Sequence, residues 1–335
     1  MRVARAVLSV LVLASLSISG CGARSLVPTG THDATAAARA ALPAINAATK
    51  FIYVSNAGAN AIVTFPSNGN GNIAPTTLIS GVNSKLASPI GMFVAPNGDI
   101  YVTCLTTKSV NVYAPGANGD TPPIRQVFGN NTGLANPFGV VLDSKGDIYV
   151  STGKQNEILI FAKNASGNAH PIRKLRGAAT GLEAPSGLIL NSKDELIVAN
   201  VKSNSVTVYA AGAGGNTPPL ATITGPATGI LKPAEVAVNA VNDIFVTNNA
   251  ANSVVEFKPN ADHNAIPIRS INGTKTGLDV PAGIAVDAAG VIYVANIGSS
   301  SITTYAPGAK GNAVPATTIA GSLTQLTEPL GLAHF

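Results

Sequence analysis

Apolar residues come in runs of four to six along most of the chain, broken by turns of Asp, Gly, Asn and Ser. The stretch from Pro281 to Pro315, PAGIAVDAAGVIYVANIGSSSITTYAPGAKGNAVP, holds three such runs, GIAV, VIYVAN and SITTYA, and a fourth, ATTIAG, follows it. Runs this short, rich in β-branched and aromatic residues, predict strands rather than helices. Within this unit they are strand A at Gly283–Val286, strand B at Ile292–Asn296, strand C at Ser301–Tyr305 and strand D at Ala316–Ile319.

The same unit is written six times. The start of strand B falls at Ile52, Ile100, Ile148, Leu196, Ile244 and Ile292, each 48 residues after the last. The aromatic residue of strand C recurs at Phe65, Tyr113, Phe161, Tyr209, Phe257 and Tyr305, and a proline opens strand D at Pro75, Pro123, Pro171, Pro219, Pro267 and Pro315. A 48-residue period with four strands per unit and no insertion predicts an all-β fold, a six-bladed β-propeller of four-stranded blades. The chain enters at Phe51 on a strand B and leaves at Gly331–Phe335 on a strand A. The C-terminal strand is therefore expected to complete the first blade beside Phe51–Ser55, removing the open edges that invite aggregation.

Ahead of the repeats, MRVARAVLSVLVLASLSISGCG carries two arginines, a short apolar core and small residues, the pattern of an export signal rather than a membrane span. Residues 1–20 are read as this leader, 21–50 as a flexible tether rich in Ala, Thr and Ser, and 51–335 as the propeller. Without Arg2 and Arg5 the basic count falls from 21 to 19 against 16 acids, too weak a balance for nucleic-acid binding. With two cysteines in all, Cys21 and Cys104, no disulfide framework is expected. Cys104 reads first as a small packing residue.

Two resemblances add to this reading. Ile18-Ser19-Gly20-Cys21 is similar to the bacterial lipobox, which implies a lipid on Cys21 and an exported lipoprotein tied to a membrane of the cell envelope. Pro281-Ala-Gly-Ile-Ala-Val-Asp287, Gly290-Val-Ile-Tyr-Val-Ala-Asn296 and Ile302-Thr-Thr-Tyr305 resemble the NHL repeat, over all six copies. Propellers of that type include protein-binding modules, lyases and lactonases, so the resemblance implies fold far more than function. The chain departs from the repeat at the Asp after strand B, here Asn56, Cys104, Thr152, Asn200, Asn248 and Asn296.

Those six residues are the first candidates for a ligand site, as a polar ring around the mouth where strands A begin. Asn at such a place also supports the turn between strands B and C. Glu235 is the second candidate, since the other five copies carry Gly91, Gly139, Gly187, Gly283 and Gly331. A carboxylate beside the propeller axis is costly unless paired, hydrated or metal-bound. The lysines Lys85, Lys108, Lys154, Lys202, Lys232 and Lys275, with Glu157, Glu183, Asp279 and Glu328 among them, read as a solvated surface. Arg125, Arg173 and Arg269 on strand D read as solubilising edge charges or an outer contact patch.

Enzyme signatures are sparse. His32, His170, His263 and His334 show no ligand spacing, and neither G-x-S-x-G nor H-E-x-x-H occurs. The gluconolactonase-type propellers that the resemblance brings in hold a metal partly through an Asn after the proline of a strand A. Ile90, Phe138, Ser186, Ala234, Ala282 and Leu330 stand there instead. Glu235 with amide oxygens from Asn200 and Asn248 would hold a Ca²⁺-like ion weakly. The expectation is a monomeric, cofactor-free, non-catalytic module that binds a protein, peptide or glycan through its mouth or rim. A metal-assisted hydrolase, lactonase or lyase at Glu235 is the alternative.

Overall fold

The computed structural model describes residues 50–335. The leader, Cys21 and almost all of the tether lie outside the described residues. The described chain forms six four-stranded antiparallel sheets, and in each the strand order runs A-B-C-D outward from the axis. The innermost strands are Pro89–Val94, Pro137–Leu142, Pro185–Leu190, Pro233–Val238, Pro281–Val286 and Pro329–His334. The last of these pairs with Phe51–Asn56 in the register Ile52↔His334, Tyr53↔Ala333 and Val54↔Leu332, so one blade is stitched from both ends of the repeat region.

Packing follows from alternation along the strands. Six apolar clusters each fill one seam between neighbouring blades, as where Val140, Ile148 and Phe161 meet Tyr101, Val110 and Val127. The aromatic that ends strand C is wholly buried in every blade and alternates Phe and Tyr around the ring. Each tyrosine hydroxyl finds a carbonyl at its seam: Tyr113 donates to Ser84 O at 2.5 Å, Tyr209 to Thr180 O at 2.6 Å and Tyr305 to Thr276 O at 2.7 Å. A buried hydroxyl without such a partner would cost about 1–3 kcal/mol.

The connections lock the seams further. The loop before each strand D climbs the outer rim and forms a parallel bridge to strand D of the preceding blade, as Gly167 does with Val127. Its Asx side chain then accepts a backbone N–H from that blade's next turn, as Asn168 Oδ1 does from Asn131 N at 2.8 Å. The closing seam carries the same device, with Asn72 Oδ1 accepting from Leu323 N at 2.7 Å. The Asx residues that the repeat places in this loop are therefore latches between blades as well as turn formers.

Candidate functional site

The six residues expected to line the mouth are all wholly buried: Asn56, Cys104, Thr152, Asn200, Asn248 and Asn296. The asparagines tie the end of strand B to the turn that leads into strand A of the same sheet. Asn56 Oδ1 accepts from Thr327 N at 2.6 Å, Asn200 Oδ1 from Glu183 N at 3.1 Å, Asn248 Oδ1 from Leu231 N at 3.1 Å and Asn296 Oδ1 from Asp279 N at 3.2 Å. Thr152 donates to Glu157 O at 3.2 Å. Burial pushes the Cys104 thiol up to about 11, against weaker bonds from its neighbours that pull it down. In the structure these six residues are buried, and the amides of the four asparagines are engaged as internal turn supports.

Glu235 stands elsewhere. At its level the innermost strands approach so closely that a side chain cannot begin: a Cβ on Gly139 would lie 2.8 Å from Ser186 O, and one on Gly283 would lie 2.7 Å from Leu332 N. Five blades meet that demand with glycine. In the fifth blade the Glu235 side chain folds back over Gly187 of the fourth, filling the space a residue-187 side chain would need. Glu235 N donates to Thr247 Oγ1 at 3.1 Å, and Glu235 Oε1 accepts from Val236 N at 3.3 Å.

Glu235 ends a cavity of about 150 Å³ that runs along the axis beside the C-terminal halves of strands A. Aliphatic residues dominate its wall, with Leu188, Val236, Ile284 and Leu332 near the level of Glu235 and Val94, Val238 and Val286 at the strand ends, where Phe93 and His334 join them. The site expected where strands A begin is therefore displaced toward the opposite face. Glu235 is half-buried because it borders the cavity, yet protein surrounds it on the other sides. Desolvation raises its carboxyl to about 8, outweighing the backbone N–H groups of Val236 and Leu188 that favour the anion.

His334 shares the cavity wall and stacks on Tyr293 with ring centroids 5.0 Å apart. Desolvation is the leading cause of its lowered pKa, so the imidazole is held neutral at pH 7. Among the described residues no three His, Cys, Asp or Glu side chains gather into a metal-binding group. Asn200 and Asn248, named as partners of Glu235 for a Ca²⁺-like ion, spend their carbonyl oxygens on backbone N–H groups instead.

Several polar residues change meaning in three dimensions. Glu157, read as part of a solvated surface, is only 4 % exposed and lies 4.0 Å from Arg176. Arg125 and Arg173 are not free edge charges: each guanidinium donates to a tyrosine of its own blade, Tyr101 at 2.8 Å and Tyr149 at 2.9 Å. Arg269 grips the buried Glu256 with two nitrogens, at 2.5 and 2.6 Å.

One set of inner-ring residues escaped the sequence reading. Ser55, Thr103, Ser151 and Thr247 stand one position before the turn-support ring on strand B, and each hydroxyl links two blades. It receives the backbone N–H of Gly331, Gly91, Gly139 or Glu235 at 2.7–3.1 Å. It donates in turn to a carbonyl of the next blade, at Ile90, Phe138, Ser186 or Ala282. Their 48-residue spacing is the signal that would have exposed them.

Comparison with known proteins adds the fold and no more. No protein-family model matches the chain, and no curated protein matches it in sequence. Among solved structures, a protein of unknown function from Bacteroides caccae is similar at a TM-score of 0.62 and 12 % identity, covering 86 % of this chain and 99 % of that one. A chain of the nidogen/laminin complex is similar at 0.61 and 14 %, covering 85 % and 98 %. Virginiamycin B lyase from Staphylococcus aureus, in an inactive form with quinupristin, is similar at 0.52 and 15 %, covering 72 % and 73 %. At such identities the shared property is architecture.

Proposed function

We propose that this propeller is a non-catalytic binding module that offers its outer rim to a protein or peptide partner, held at a bacterial cell envelope by a lipid on Cys21. One observation carries the reading. At the start of strand D, Ile124, Ile172, Leu220 and Ile268 occupy one repeat position in four successive blades and are 44–61 % exposed. Ile266 and Val314, two residues before the same position, extend the apolar arc into the last blade.

Exposed aliphatic residues are individually ordinary, but their recurrence at one level of a ring places them side by side on one surface. Their backbone N–H groups are already paired inward, as Ile124 N is with Val112 O at 2.8 Å, so the side chains remain for contact. Aliphatic groups favour a protein surface over a glycan, which would ask for hydrogen-bonding groups. The mouth offers no comparable surface, because its amides and hydroxyls are engaged internally. Hydrolysis or lyase chemistry at Glu235 finds less support, since among the described residues His334 is the one other acid or base lining its cavity and no metal-binding group forms there.

The test is a variant with Ile124→Ser, Ile172→Ser, Leu220→Ser and Ile268→Ser, cross-linked in envelope fractions alongside the unaltered protein. A partner captured by the parent and lost from the variant, with the melting temperature retained, supports the rim. A partner captured equally by both removes it, and lactone hydrolysis abolished in Glu235→Gly would replace binding with catalysis. Mass spectrometry of the mature N-terminus tests the anchor: acylated Cys21 is expected, and an unmodified Cys21 or a retained Met1 refutes it.

A further inference from the structure

The axial cavity is separate from the rim and asks for a different ligand. Its wall is built mostly from aliphatic side chains of the innermost strands, with Phe93 and His334 among them, and its inner end carries the Glu235 carboxyl. Among the described residues no lysine or arginine lines it, and the other titratable group there, His334, is held neutral at pH 7 by burial. Asp287 is the charged group that most favours the imidazolium, and Lys50 opposes it, so His334 supplies no steady counter-charge to Glu235. The carboxyl is left with backbone N–H groups alone, which satisfy part of an anion but do not neutralise it.

An apolar pocket ending in an unpaired acid is complementary to an amphiphilic cation. We propose that the axial cavity binds a small organic ammonium ion, a primary amine on a compact hydrocarbon body, with Glu235 as its counter-ion. Leu188, Val236, Ile284 and Leu332 surround the hydrocarbon, and the ammonium lies at the carboxyl end. The volume of about 150 Å³ sets the size, room for a compact body of about six carbons. An uncharged ligand of equal shape would leave the acid unpaired, and an anion would be repelled by it once ionised.

Cation binding requires the ionised carboxyl. Affinity for a permanently protonated amine should therefore rise with pH, by up to about tenfold per unit below the pKa of Glu235 and level off above it. Acidic wild-type protein should release a proton on binding, and His334, whose pKa burial lowers, should add little to the slope above pH 7.

Calorimetric titration of the full-length protein with cyclohexylamine, cyclohexanol and cyclohexanecarboxylate decides the matter between pH 6 and 9. Saturable binding of the amine alone, strengthening with pH, is expected. Glu235→Gln should weaken it at least tenfold and flatten the pH dependence. Ala285→Phe, which narrows the cavity without touching the acid, should also abolish amine binding and keeps the test available if Glu235→Gln does not fold. Equal binding of the alcohol, undiminished binding in either folded variant, or no saturable amine binding at any pH would overturn the proposal.

Discussion

The Glu235 carboxylate lies directly over Gly187, in the space where a side chain at residue 187 would begin. The two residues belong to adjacent blades and share one site at the axis. A Cβ at residue 187 would also come within 2.5 Å of Glu235 Cα, so moving the flexible carboxylate alone would not make room. Gly187→Ala should therefore destabilise the ring by about 1–3 kcal/mol, the usual cost of overpacking. Glu235→Gly should relieve only part of it. A double-mutant cycle by chemical denaturation reads the coupling directly, and additive effects would show that the two sites are independent.

Stability should depend on the proton at Glu235. Its folded pKa of about 8 lies above the ordinary carboxyl value of 4.5, so folding favours the protonated acid. The advantage is complete at low pH and is lost as pH rises from about 4.5 to about 8, at a slope of no more than roughly 1.4 kcal/mol per unit. Glu235→Gln removes this dependence. The difference in melting temperature between variant and parent should change in the variant's favour across that window and be flat above it. A difference that is constant from pH 4 to pH 9 would contradict the raised pKa.

The fold was legible because its determinants are periodic. Alternating apolar runs set the strands, the 48-residue register set the blades, and the position of Phe51 relative to Phe335 set the closure. Strand B of the unit that opens at Pro281 is expected at Ile292–Asn296 and is found there, whereas strand A begins earlier, at Pro281, because the proline already pairs with Asn296. The site was less legible for a physical reason. An Asn that holds a turn and an Asn that faces a ligand have the same sequence signature, and burial alone separates them. Glu235 stood out because it breaks a glycine repeat, but the face from which it is reached depends on which half of strand A widens into a cavity.

The inner hydroxyl pins should carry measurable stability. Ser151 Oγ receives Gly139 N at 2.8 Å and donates to Ser186 O, joining strands A of the third and fourth blades. All of these groups are buried. Ser151→Ala would leave an N–H and a carbonyl unpaired, at a cost of about 1–3 kcal/mol. Ser151→Thr, matching Thr103 and Thr247 at the same repeat position, should retain most of the stability. Denaturant midpoints of the two variants check this, and an unaltered Ser151→Ala midpoint would remove the pins as a source of stability.

Closure of the ring makes the last residues as important as the centre. Deleting residues 331–335 would remove the pairings of Leu332, Ala333 and His334 with Phe51–Asn56, and the paired bonds between Phe51 and Phe335 at 2.8 and 3.0 Å. It would also take buried Leu332 from its seam and the His334 ring from Tyr293. Burying one such leucine contributes about 1.5–3 kcal/mol, and the unpaired backbone of Phe51–Asn56 would become an open strand edge. Against a total stability of roughly 5–15 kcal/mol, the summed loss is a large share of the whole. The outer latch of Asn72 on Leu323 cannot compensate, because the same latch is already present at the other seams. The truncated protein should therefore lose its cooperative transition or melt far below the parent, and associate through the exposed edge. Circular dichroism melting with light scattering measures both, and a truncated protein that stays monomeric with the parent's melting temperature would show that the ring does not depend on this closure.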